Sequence, residues 1–124
     1  MLAHCNIIAF AATTDPKKAK RFYEEMLGLS LVEESPFALV FDAHGTMLRV
    51  QIVKQLDPPN HTVVGWQVAD IRDVITHLVS KGVRFERFDG LQQDDLGIWR
   101  SPAGAQIAWF KDPDGNILSL TQFS

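Results

Sequence analysis

Apolar and polar positions along the chain fall into two passages written in the same order. In the first, the apolar run from Asn6 to Ala12 leads into Asp15 and Pro16, a pair suited to a helix N-cap and first turn. Ala19, Phe22, Tyr23 and Met26 then recur at i, i+3, i+4 and i+7, which predicts a helix with one apolar face, and Gly28 closes it as a C′ residue does. In the second passage the run from Thr62 to Ala69 leads into Asp70; Ile71, Val74, Ile75 and Leu78 form the stripe, and Gly82 ends it. The interval from Asp to Gly is thirteen residues in the first passage and twelve in the second. Each helix is followed by strand-like runs: 29–34, 37–42 and 46–53, then 83–88, 98–110 as a hairpin or pair, and 116–123.

Each passage therefore reads β-α-β-β-β, and Pro58-Pro59-Asn60 interrupts both periodicities between them. One such unit covers one face of its sheet with a helix and leaves the other face open. The expectation is one α+β domain over residues 1–124, with module one at 4–53, a linker at 54–60 and module two at 61–123. The two βαβββ modules are expected to form a curved mixed sheet around a groove, helices on the outer face.

Composition adds bounds. With 124 residues, 46% of them hydrophobic and 22% charged, the chain has the make-up of a single soluble globular domain. Cys5 has no partner for an intrachain disulfide, and its parity groups it with Ile7 and Ala9 on the helix side as a small buried group. No apolar run reaches the ~18 residues of a membrane span, and the first residues lack a signal-peptide pattern, so a cytoplasmic location is expected and no membrane partner. The formal net charge is −3 and the run Lys17-Lys18-Ala19-Lys20-Arg21 interleaves with the apolar stripe, which predicts a solvated helix face rather than a nucleic-acid surface.

Two segments carry a likeness to a known family. "DPKKAKRFYEEMLGL" and "WFKDPDGNILSLTQ" resemble conserved-order segments of the vicinal oxygen chelate superfamily, which includes glyoxalase I, bleomycin-resistance proteins and extradiol dioxygenases, and the likeness spans nearly the whole chain. In metal-dependent members the resemblance implies four ligands, one from the first and one from the last strand of each half, holding an ion that chelates vicinal oxygens of the substrate. Here those positions fall on Ile8, Val64, Arg49 (or Gln51 if the register moves by two) and Ser119. Two hydrocarbons, a cation and a hydroxyl do not make a first-row divalent site, so no metal and no cofactor are expected. No catalytic residue can be nominated, since no nucleophile–base pair, HExxH or phosphate-cradling glycine loop is present.

Strand alternation then lists the groove face as Asn6, Ile8 and Phe10; Met47, Arg49 and Gln51; Val64 and Trp66; and Ile117, Ser119 and Thr121, with Trp99 and Trp109 adding to the wall. Apolar and aromatic walls with a few polar groups suit a small organic molecule, aromatic or anionic, with Trp66 and Phe10 as ring platforms and Arg49 as a bidentate anchor. Each residue has a plainer reading: Trp66 as core, Ser119 and Thr121 as simple strand residues, Arg49 as half of an ion pair with Glu33, Glu34, Asp42 or Asp94. The leading expectation is sequestration of a small molecule, the groove being completed by a second copy in a homodimer. Its rivals are a metal-dependent lyase, isomerase or dioxygenase that recruits His4, Gln51 or His61, and an interaction module whose groove is filled by its own side chains. The stretch from Leu91 to Trp99 is read as a lid or as a connector.

Overall fold

The computed structural model describes residues Met1–Ser124 and divides into two compact units, Met1–Asp57 and Pro58–Ser124. In the first, β1 (Ile8–Thr13) leads into α1 (Pro16–Lys20), followed by β2 (Ser30–Glu34), β3 (Ala38–Ala43) and β4 (Thr46–Ile52). These strands form one sheet in the order β1-β4-β3-β2, in which β1 and β4 run parallel and the others antiparallel. The second unit repeats the plan with β5 (Thr62–Gln67), α2 (Ile71–Ser80), β6 (Trp99–Arg100), β7 (Gln106–Lys111) and β8 (Ile117–Gln122), ordered β5-β8-β7-β6 with β5 parallel to β8. The strands are thus two four-stranded mixed sheets, each with its helix, and the α+β class and twofold βαβββ order hold.

Both helices begin as the sequence predicts. The Asp15 carboxylate accepts from the Lys18 amide at 3.2 Å with Pro16 in the first turn, and Asp70 accepts from the Asp73 amide at 3.2 Å. The Gln122 side chain, on the last strand, also accepts from the Ile71 amide at 2.8 Å and so fastens the start of α2 to β8. At its end α2 closes in a Schellman turn, with Gly82 (φ 100°) donating to Val79 and Val83 to Leu78. The first helix differs. After Lys20 it widens into a π-wound stretch, Arg21–Met26, in which Leu27 donates to Phe22 five residues back. The wider turn takes up the one residue by which the Asp15–Gly28 interval exceeds Asp70–Gly82.

The cores lie under the helices. In the first unit Ala19, Phe22 and Tyr23 meet Leu39, Phe41, Leu48 and Val50, all buried, with the Tyr23 and Phe41 rings 5.6 Å apart. In the second, Ile71, Ile75 and Leu78 are buried together with Ala108, Phe110, Leu118 and Leu120. Full burial of such a side chain contributes roughly 1.5–3 kcal/mol, so the faces carrying these residues are fixed.

Two local expectations change. Residues 83–88 form no strand: Phe85 bridges Phe110, the Glu86 amide donates to the Trp109 carbonyl at 2.8 Å, and the chain then leaves β7 until Trp99. Backbone groups on the excursion find the Gln93 side chain instead, which accepts from the Phe88 amide and donates to the carbonyls of Glu86 and Gly97 at 2.8–2.9 Å. Cys5 is exposed rather than buried, because β1 begins only at Ile8 and Ile7 before it is also exposed. No helix is long and apolar enough to cross a membrane.

Candidate functional site

In the first unit, register decides which side chains share the face away from the core. Ile8 pairs with Met47, Phe10 with Arg49 and Ala12 with Gln51, while the antiparallel pairing of β3 adds Ala38 and Val40, both buried, and exposed Asp42. This brings Ile8, Phe10, Met47, Arg49 and Gln51 onto one face, and Ile8, Phe10 and Met47 remain 46%, 48% and 40% exposed. At one end of it a shallow cavity of about 560 Å3 is lined by Asn6, Ile8, Ser30, Val32, Asp42 and Met47 among others.

Arg49 is half-buried on this face, between Phe10 and Val40, and its guanidinium has no hydrogen bond or ion pair. Acidic groups expected to pair with it are engaged elsewhere: Glu34 with Lys20 at 3.3 Å, Asp94 with Arg72 at 3.0 Å, and Asp42 with the Gly45 amide at 3.1 Å. Glu33 stands on the same row, with Val40 between, and makes no ion pair with it. An arginine drawn into an apolar surface with no anion of its own leaves five donors for a bound one.

In the second unit the expected face is corrected at β5. A bulge lies between Thr62 and Val64: Thr62 pairs with Ile117, but Val64 and Trp66 pair with Leu118 and Leu120 on the core face. One inserted residue reverses the sides of all that follow. The Trp66 ring accordingly stacks on Phe110, with centroids 6.4 Å apart, and Val64 and Trp66 do not share a face with Ser119. The residue opposite Ser119 is Gly65, and a Cβ built there would lie 2.6 Å from Ser119 Oγ. Trp109 faces Ser119 from β7, and Thr121 lies on the same side, paired with Ile107 and Gln67.

Aromatic rings gather at Trp109. Phe88 meets it edge to face at 5.5 Å and Trp99 lies 6.2 Å away. A cavity of about 220 Å3 beside Trp109 is lined also by Asn60, His61, Thr62, Phe88 and Ile117. Gly65 and Phe88 are the residues that sequence reasoning passed over, while His61, weighed there as a metal ligand, lines this cavity instead. The first had a signal, a glycine inside a strand pattern, which often marks a bulge or a close approach.

The loop 87–98 is ordered by polar contacts of Asp94 and Arg87. Asp94 accepts from the amides of Leu96 and Ile98 at 2.9 Å and from Arg72, while Arg87 donates to the carbonyls of Asp94 and Asp95. Partial burial pushes the Asp94 carboxyl up, yet the Ile98 and Leu96 amides and the Arg72 guanidinium outweigh it and hold it below its ordinary value of 3.8.

A resident divalent ion does not fit this chain's donors. Ile8 and Gly65 offer no lone pair on a side chain, Arg49 is a cation and Ser119 supplies one hydroxyl. No three His, Cys, Asp or Glu side chains come together as a metal-holding group.

Two four-stranded sheets, each with parallel outer and last strands and one helix, define a paired βαβββ protein. The chain belongs to the Glyoxalase/Bleomycin resistance protein/Dioxygenase superfamily, whose profile matches residues 2–120. Among solved structures, a glyoxalase/bleomycin resistance protein/dioxygenase from Alicyclobacillus acidocaldarius is 16% identical with a TM-score of 0.73, covering 97% of this chain and 92% of that one. Lactoylglutathione lyase from Agrobacterium tumefaciens is 18% identical with a TM-score of 0.72, covering 95% and 93%. A glyoxalase family protein from Enterococcus faecalis is 24% identical with a TM-score of 0.67, covering 94% of each chain. At these identities the likeness is one of fold. No curated protein shows significant similarity to the chain.

Proposed function

We propose that this chain binds a small organic anion with an apolar or aromatic body, on the exposed Ile8, Phe10 and Met47 side of its first sheet, without a metal ion. The observation that carries the reading is Arg49: half-buried, beside exposed Phe10, and without a partner in its own chain. Arg49 would hold the carboxylate or phosphate, while Ile8, Phe10 and Met47 cover the apolar body. An interaction module of the kind weighed from sequence would instead satisfy Arg49 internally, and the ion pairs that would do so are made with other partners.

Calorimetric titration with 2-naphthoate tests this. Arg49→Gln is expected to weaken binding by about tenfold or more, the range of a lost charge-assisted hydrogen bond. Equal affinity of the variant and the parent, or no binding of the aromatic anion to either, would sink the reading.

A further inference from the structure

Asp-Gly occurs twice in the chain, both times in the second unit and both times at a turn: Asp89-Gly90 and Asp114-Gly115. The pair is chemically labile wherever the following amide nitrogen can reach the aspartate Cγ, because glycine puts no Cβ in the way. The two turns differ in what holds that nitrogen. The Gly115 amide donates to the Asp112 carbonyl at 3.0 Å, and a Cβ built on Gly115 would lie 3.3 Å from Pro58 Cγ, so this turn is both bonded and covered. The Gly90 amide makes no hydrogen bond, and the Asp89 carboxylate makes neither a hydrogen bond nor an ion pair. Both residues are exposed, and nothing lies within 4 Å of a Cβ built on Gly90. A single bond closes their turn, from the Leu91 amide to the Phe88 carbonyl at 3.2 Å, with Gly90 at φ 85°.

We propose that Asp89-Gly90 is a site of spontaneous covalent modification, the isomerisation of aspartate to isoaspartate, and that the fold withholds Asp114-Gly115 from the same reaction. The Gly90 nitrogen attacks Asp89 Cγ; the N–Cγ bond forms, the Cγ–OH bond breaks, and the hydroxyl leaves with the amide proton as water. Water then opens the five-membered imide. Attack at Cγ restores aspartate, whereas attack at the former main-chain carbonyl leaves the chain running through the side-chain carbon, one atom longer and with a free α-carboxylate. Water is the only co-reactant. The position gives the product a consequence. Phe88, the residue before Asp89, meets Trp109 edge to face at 5.5 Å, and the Gln93 side chain gathers the Phe88 amide and the carbonyls of Glu86 and Gly97. An extra backbone atom between Phe88 and Gln93 strains both fastenings. Nothing in this inference depends on the anion reading of the first unit.

Prolonged incubation of the folded protein at physiological temperature and pH, followed by peptide mapping that separates aspartyl from isoaspartyl peptides, tests it. Isoaspartate is expected to accumulate in the peptide holding Asp89 while the peptide holding Asp114 keeps its aspartate; in concentrated urea both are expected to isomerise at similar rates. Asp89→Glu, which keeps the charge but cannot close the five-membered ring, should abolish the change. In aged 15N-labelled protein a second Trp109 indole N–H signal, assigned with Trp109→Phe, is expected to grow in step with the isoaspartate fraction. Folded protein in which Asp89 is as inert as Asp114, or in which both isomerise alike, overturns the proposal. An unsplit Trp109 signal in the aged protein overturns the link to Phe88.

Discussion

The two units share one strand order yet differ wherever the chain turns or meets an edge. The first joins β3 to β4 through His44-Gly45, a two-residue turn with both φ angles positive, 51° and 87°. The second joins β7 to β8 through Asp112–Asn116, held by a buried carboxylate: Asp112 accepts from the amides of Asp114 and Asn116 at 3.0 and 2.9 Å and from the Asn116 side chain at 2.8 Å. At the outer edge, β2 bulges by one residue at Val32, whereas its counterpart leaves β7 after Glu86 and returns only at Trp99. The excursion brings Phe88 and Trp99 beside Trp109 and so furnishes the second unit with an aromatic wall that the first lacks. A duplicated plan thus fixes ladders and helices, while the connections are where the halves acquire different chemistry.

The hairpins offer the largest test of that contrast. Asp112→Ala removes the carboxylate that accepts from the Asn116 side chain and from two backbone amides, and is expected to lower unfolding free energy by about 3 kcal/mol in urea titration. A loss under about 1 kcal/mol would mean that backbone pairing alone holds the turn.

The edges differ in their response to acid. The folded-state pKa of Asp94 is depressed, so its contribution is present above the ordinary carboxylate value of 3.8 and is lost as pH falls through the lower folded value. Amide exchange at Leu96 and Ile98, corrected for intrinsic rates, is expected to accelerate over that window, while exchange in the β2 ladder at Glu33 stays level. Asp94→Asn should remove the acid dependence. If the parent shows none, the carboxylate is not what orders the connector.

The smallest effect is expected at His44. Asparagine accommodates positive φ more readily and makes the Asn-Gly pair preferred for this turn, so His44→Asn should add about 0.5 kcal/mol and raise the Tm by about 2 °C. A lower Tm would show that the imidazole makes a contribution the turn geometry does not reveal.

The sequence by itself determined the twofold βαβββ order, both N-cap aspartates and both closing glycines. These are local matters: caps, φ-permissive residues and apolar period act within a few residues. Even the extra residue between Asp15 and Gly28 was visible, though its consequence, a π-wound turn, was not. Tertiary structure alone decided the faces of β5. Val64 and Trp66 alternate as well toward either side, and only the bulge before Val64, with Trp66 packed on Phe110 and Gly65 pressed against Ser119, chose the core. It also decided that Arg49 has no partner, because which carboxylate meets which cation depends on where Lys20 and Arg72 reach in space, a distance the linear chain does not encode.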